Sequence, residues 1–216
     1  MTAGGRMALN QRNSSRVFIP LAAFLLLTCI SPLPETPTRR TDAFETLLSS
    51  LDGTVKLVIQ KSRYTMILYK GETPVKTYQS VFGKGYGDGD KQRMGDRRTP
   101  EGDFYICTKN DSKRFYKFMG LSYPGLKHAE EGLRSGMIVP DEYAMIKKAI
   151  EERSPPPWET RLGGAVGIHG RMLGAEDARR LSSDINWTDG CIALDNADVD
   201  EVYRVVSLGT PVTILP

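Results

Sequence analysis

The stretch Val55–Phe82, VKLVIQKSRYTMILYKGETPVKTYQSVF, decides the fold class. Val, Ile, Thr and Tyr fill three runs, Val55–Gln60, Tyr64–Lys70 and Val75–Phe82, punctuated by Lys61-Ser62 and Gly71-Glu72. Such residues fit a pleated, half-buried surface, and short polar breaks between them make hairpins, so a three-stranded antiparallel meander is predicted. Further out, Thr99-Pro100-Glu101-Gly102 is a turn signal before another strand, Asp103–Thr108, and Tyr116–Tyr123 reads as one more. Gly163–His169 (GGAVGIH) reads as a glycine-rich buried strand and Pro211–Leu215 as a closing one. The helices are peripheral. Asp42 caps a short one carrying Phe44, Leu47, Leu48 and Leu51 at helical spacing, and Gly53 stops it. Pro140 and Asp141 open a second, with Asp141 as cap and Ala144, Met145, Ala149 and Ile150 on its apolar side. It runs through Arg153 and ends at Ser154-Pro155-Pro156-Pro157. Asp195 or Asn196 caps a third, with Val199, Val202 and Val206 on one stripe and Gly209 as its stop. The chain reads as mainly β with two or three peripheral helices.

The 216 residues suit one compact domain plus short appendages, and 40% hydrophobic with 25% charged residues argues against a largely disordered chain. The formal net charge of +3 belongs to the N-terminus: residues 1–30 hold Arg6, Arg12 and Arg16 and no acid, which leaves 26 basic against 26 acidic residues in the body. A neutral body has no excess for wrapping nucleic acid. Residues 1–16 are polar and arginine-bearing, and the 14-residue apolar run Val17–Ile30 is shorter than the roughly 20 needed to span a bilayer. Residues 1–30 therefore read as a signal peptide or N-terminal anchor, with N-terminal membrane association and lipidation at Cys29 as variants. Residues 31–53 read as a Pro/Thr-rich tether and the short helix. The body is expected in an exported compartment, periplasm or cell envelope. Three Cys and two His without CxxC or HExxH give no zinc framework, and no metal or organic cofactor is expected.

Gly83–Gly95 (GKGYGDGDKQRMG) reads as a mobile surface loop, because it lacks the Lys-Ser/Thr of a phosphate loop and has too few acids for a calcium loop. His128 in KHAEEG reads as solvated, and Arg97 and Arg98 as a solvated turn. Cys107 reads as a small buried hydrophobe, although an oxidising compartment would permit it to pair with Cys191.

Two segments carry chemistry: Ile168-His169-Gly170, ending a strand, and Trp187-Thr188-Asp189-Gly190-Cys191-Ile192-Ala193-Leu194, just ahead of a helix cap. A thiol with a pKa near 8.5 needs a base to attack at neutral pH, and an imidazole takes that proton and returns it to the leaving amine. Gly190 permits close approach of a substrate carbonyl, so the Gly190 and Cys191 N–H groups form a candidate oxyanion hole. Trp187 is a candidate pocket wall and Arg171 a candidate partner for a substrate carboxylate.

The pair IHG…WTDGCIAL resembles the signature of the L,D-transpeptidase catalytic domain family (YkuD-type), HG-x(n)-[S/T]-x-G-C. The segments Val55–Phe82, Gly95–Asn110, Leu121–Pro124 and Gly209–Ile214 fit that family in order. The resemblance covers roughly residues 54–216, which would be the catalytic domain. It implies a YkuD-like β-sandwich, export to the cell wall and action on the tetrapeptide stems of peptidoglycan, with a stem amine, a wall-anchored protein or water as acceptor. Cys191 would be the nucleophile, His169 the general base, oriented by a backbone carbonyl, and Gly190 part of the oxyanion site. Thr188 would brace the turn, and Thr188, Asp189, Gly170, Arg171, Tyr123 and Trp187 would lie on the substrate side. Many members carry His where this chain has Asp189, and Arg or Asn where it has Ala193. The TDGCIAL variant is similar to a subgroup that transfers, trims or hydrolyses. A non-catalytic wall-binding module is the rival from another class, against which the intact thiol and imidazole argue. A papain-like protease fits less well, since there the nucleophile precedes the histidine.

Overall fold

The computed structural model describes residues 37–171 and 186–216. The expected leader over 1–30, Cys29 and the tether up to residue 36 lie outside the described residues. In chain order the elements are α1 (Pro37–Ser50), β1 (Val55–Gln60), a 3-10 turn (Lys61–Arg63), β2 (Thr65–Lys70), β3 (Thr73–Gln79), β4 (Gly102–Ser112), β5 (Tyr116–Leu121), α2 (Leu126–Arg134), α3 (Pro140–Glu151), β6 (Gly167–His169), β7 (Ile192–Ala193), α4 (Asn196–Val205) and β8 (Pro211–Leu215). The fold is mainly β, and the expected meander is present: β1 pairs β2 and β2 pairs β3, both antiparallel.

All eight strands form one curled sheet in the order β3-β2-β1-β8-β4-β5-β6-β7. The two layers of the expected sandwich are halves of this sheet because β4 is long enough to serve both. Gly102–Tyr105 bond β8, and Ile106–Ser112 bond β5. Period-2 alternation puts Leu57 and Ile59 of β1, Met66 and Leu68 of β2, and Val212 and Ile214 of β8 inside. They meet Phe104, Ile106, Met119, Leu121 and Ile168 from the other half. Burying one such side chain stabilises by about 1.5–3 kcal/mol, so this apolar set is the main source of stability. Phe44 and Leu48 of α1 and Val199, Val202 and Val206 at α4 join the same core.

The differences from expectation have local causes. α1 begins at Pro37, whose fixed φ suits a first helical turn, so Asp42 lies inside the helix and part of the tether is helical. Leu47 of α1 is exposed. α3 starts beyond Val139, whose N–H donates to Glu142 Oε2 at 2.9 Å, so Glu142 rather than Asp141 satisfies the helix start. On α3, Ile146 and Ala149 are buried while Met145 is exposed. α2 is an unforeseen element: its apolar face is small, with Ala129 buried and Gly132 against Leu162. Its His128 is therefore buried rather than solvated, under the rings of Phe104 and Tyr123. Only Gly167–His169 of the glycine-rich run are strand, because Gly163 and Ala165 take positive φ and break the extended chain.

The segment Gly83–Gly95 is pinned to the body rather than loose. Lys91 and Asp96 form a buried ion pair at 2.7 Å, and Lys61 pairs with Glu101 at 2.6 Å. Asp90 Oδ1 accepts the Glu101 N–H at 2.7 Å, and its carboxylate also takes Lys127 and His128. Burial alone would raise the Asp90 carboxyl, but the hydrogen bonds from His128, Lys127 and Glu101 outweigh it and hold it below the usual range.

Candidate active site

Two short parallel strands bring the candidate residues together. β6 and β7 pair Ile168 with Ile192 and His169 with Ala193, which sets Cys191 just ahead of β7 and level with Gly167 at the start of β6, two residues before His169. The chain leaving β3 closes on the same place. Val81 and Ala193 exchange N–H···O bonds of 3.0 and 2.9 Å, Thr188 N–H donates to the Phe82 carbonyl, and Lys84 N–H donates to the Thr188 carbonyl. Ala193 is buried in this bridge and is not among the residues lining the cavity described below.

The nucleophile turn is tied from within. Thr188 Oγ1 donates to the Cys191 carbonyl at 2.7 Å and accepts the Gly190 N–H at 3.2 Å. Gly190 holds φ 133, and a β-carbon there would sit 2.8 Å from the Arg98 carbonyl oxygen, so only glycine fits. Its N–H is spent on Thr188, contrary to the oxyanion role expected of it. The Cys191 N–H has no hydrogen bond among the described residues.

His169 is 1% exposed, stacked on Phe115 at 4.3 Å and met edge-on by Trp187 at 5.6 Å. Its Nδ1 lies 2.7 Å from the Gly170 carbonyl oxygen. A carbonyl only accepts, so Nδ1 carries the proton and Nε2 is left as the basic nitrogen. Burial lowers the imidazole to about 4, the Gly170 carbonyl opposes the shift and Arg114 adds to it. Burial pushes the Cys191 thiol up to about 11, against the Gly167 N–H and the Lys91 charge, which favour thiolate. At neutral pH the pair therefore rests as thiol and neutral imidazole. The sulfur points to the Ala165 carbonyl at 3.7 Å, and no hydrogen bond joins it to His169.

Cys191 and His169 line one cavity of about 760 Å³, together with Trp187, Thr188 and Asp189. Arg97, Arg114, Phe115, Trp158 and Lys91 also line it, and none of these five figured among the site residues expected from sequence. Arg97 is exposed, as expected of a solvated turn, and pairs with Asp189 at 3.6 Å. Three expected substrate-side residues lie elsewhere. Tyr123 is fully buried, donates to the Leu162 carbonyl at 3.1 Å, and has its phenol raised by burial. Arg171 turns to Asp195, Nε to Oδ1 2.6 Å. Gly170 is wedged against Asn196, and its N–H bonds the Phe115 carbonyl. Cys107 is buried in β4 and, like Cys191, is a free thiol.

No curated protein sequence matches this chain. Among solved structures it is similar to a variant of Pgp2, the helical cell shape determining protein of Campylobacter jejuni, at 18% identity and TM-score 0.50, covering 84% of this chain and 56% of that one. The L,D-transpeptidase of Xylanimonas cellulosilytica is similar at 14% identity and TM-score 0.43, covering 76% of this chain and 61% of that one. L,D-transpeptidase 1 of Mycobacterium tuberculosis is similar at 13% identity and TM-score 0.41, covering 76% and 62%. The chain thus spans less than two thirds of each. Residues 54–214, most of the chain, match the L,D-transpeptidase catalytic domain, YkuD. A sheet that sets an HG-ending strand beside a TDGC turn is what this match covers, and the chain belongs to the YkuD family of L,D-transpeptidase catalytic domains.

Proposed function

We propose that the chain is an exported cysteine acyltransferase that acts on the tetrapeptide stems of peptidoglycan as an L,D-transpeptidase. The observation that carries the reading is that a thiol and an imidazole with its Nε2 unprotonated share one cavity. Cys191 Sγ attacks the amide carbonyl of the third stem residue as Nε2 of His169 takes the thiol proton. The C–N bond then breaks, the terminal D-amino acid leaves with that proton, and a thioester remains on Cys191. An amine of a second stem or of a wall-attached protein breaks the C–S bond and restores the thiol; water in its place gives trimming. The oxyanion falls to the Cys191 N–H, since that of Gly190 is engaged. With Arg171 held by Asp195, Arg114, lying over the Phe115 ring, is the guanidinium offered to a stem carboxylate. The N-terminal segment exports the protein to the periplasm or cell envelope.

Intact-mass analysis of the full chain with a carbapenem is expected to show one covalent adduct, absent in Cys191→Ala. Incubation with disaccharide tetrapeptide is expected to yield dimers or tripeptide with release of D-alanine. A Cys191→Ala protein that still releases D-alanine overturns the reading.

A further inference from the structure

We propose that Lys91 is the fixed cation that stabilises negative charge as it forms at the Cys191 sulfur, acting as a positioning residue for the proton transfer to His169. The inference rests on the thiol chemistry proposed above and deepens it. Lys91 lines the same cavity as Cys191, and its side chain is 4% exposed. A β-carbon on Gly190, next to the nucleophile, would lie 3.9 Å from its Nζ.

The other charged or titratable groups facing the cavity are Arg97, Arg114, Asp189, Glu159 and His169. Arg97 and Asp189 are mostly exposed and pair with each other, so solvent screens them. Arg114 and Glu159 are exposed as well, and His169 is held neutral by burial. Lys91 is thus the cation least screened by solvent among those lining the cavity, and its charge favours thiolate. The ammonium donates to Asp96 Oδ1 at 2.7 Å and the Arg93 carbonyl at 3.0 Å. An ammonium has three donors, so one is left for an anion. Asp96 takes Lys91 and the N–H groups of Gln92, Arg93 and Arg98; burial would raise it, and these bonds hold it below the usual range. The ring of Tyr123 packs against the same ammonium at 5.8 Å. Tyr123, expected to face the substrate, supports the cation instead. A buried ion pair adds little stability over an apolar pair of similar volume. Its place beside Gly190, in the cavity wall that it shares with Cys191, is what a charge-stabilising role requires.

The test is the alkylation rate of Cys191 in the full chain with neutral iodoacetamide at pH 8, read on the Cys191 peptide by mass spectrometry. Loss of the cation in Lys91→Met is expected to slow alkylation about three- to tenfold: one unit of thiol acidity, partly offset by the greater nucleophilicity of a more basic thiolate. Lys91→Arg keeps the charge and is expected to stay within about twofold. Asp96→Asn leaves the cation unneutralised and is expected to speed alkylation, which keeps the proposal testable should Lys91→Met not fold. A folded Lys91→Met that alkylates at the unsubstituted rate overturns the proposal, as does an Asp96→Asn that is no faster. Carbapenem acylation is read separately. A chain that shows this Lys91 dependence yet takes no carbapenem defeats the transferase reading alone.

Discussion

The chain has two histidines, and the two regions that hold them are built alike up to one bond. Both rings are buried and flanked by aromatic side chains: Phe104 and Tyr123 around His128, Phe115 and Trp187 around His169. His128 gives Nε2 to the Asp90 carboxylate at 3.2 Å, a partner that ties α2 to the 83–101 segment. His169 gives Nδ1 to a neutral backbone carbonyl and keeps Nε2 on the side of a cavity that also holds a thiol. Burial and aromatic packing therefore do not mark a catalytic histidine. What sets the proposed base apart is which nitrogen the partner uses, whether the partner carries charge, and the thiol-bearing cavity that the ring lines.

The largest expected effect breaks the comparison outright. His169→Gln keeps a polar group but removes the base, and acylation of Cys191 by a carbapenem is expected to fall at least about 100-fold, while His128→Gln leaves the acylation rate per folded molecule within a few fold. Next, Asp90→Asn removes the charge that gathers His128, Lys127 and the Glu101 N–H. It is expected to cost about 1–3 kcal/mol in urea unfolding and leave the thiol reactive.

The pH dependence of stability then separates the two sites. The folded His169 imidazole lies near 4, below its unfolded value of about 6.5. Between those values the unfolded chain binds a proton that the folded chain refuses, so stability falls as pH drops through the window. In His169→Gln that stretch of the unfolding curve is expected to flatten. Asp90 is depressed instead, so its contribution stands above about pH 3.9 and is lost as pH falls further. Asp90→Asn should change the curve only there. The smallest effect concerns the two described thiols, both pushed up to about 11 by burial. Among the described residues Cys107 lines none of the cavities, and Cys107→Ala is expected to cost about 1 kcal/mol and leave acylation within twofold.

What the amino acids disclose divides along the same line. Strands β1 to β3 were legible because alternation and β-branched content are local signals, and the residues flanking His169 and Cys191 singled out two side chains that line one cavity. The 83–101 segment was not. It is ordered by Lys91–Asp96, Lys61–Glu101 and Asp90–His128, and residues of those types read as solvated until their partners are known. That misreading hid Lys91 from the cavity wall. Tyr123 and Arg171 went the other way. Each lies close in sequence to a cavity element, but Tyr123 points into the core and Arg171 toward the start of α4, directions that no spacing encodes.

The strand β8 lies between β1 and β4, parallel to β1 from Leu57–Val212 to Gln60–Leu215. Neither the meander nor the β4–β5 half can complete its hydrogen-bond ladder until a segment some 150 positions downstream of β1 arrives. Such long-range pairing slows folding and makes assembly cooperative. The proposed pairing of Cys191 with His169 therefore sits in a sheet whose inner strand β8 follows every other strand along the chain.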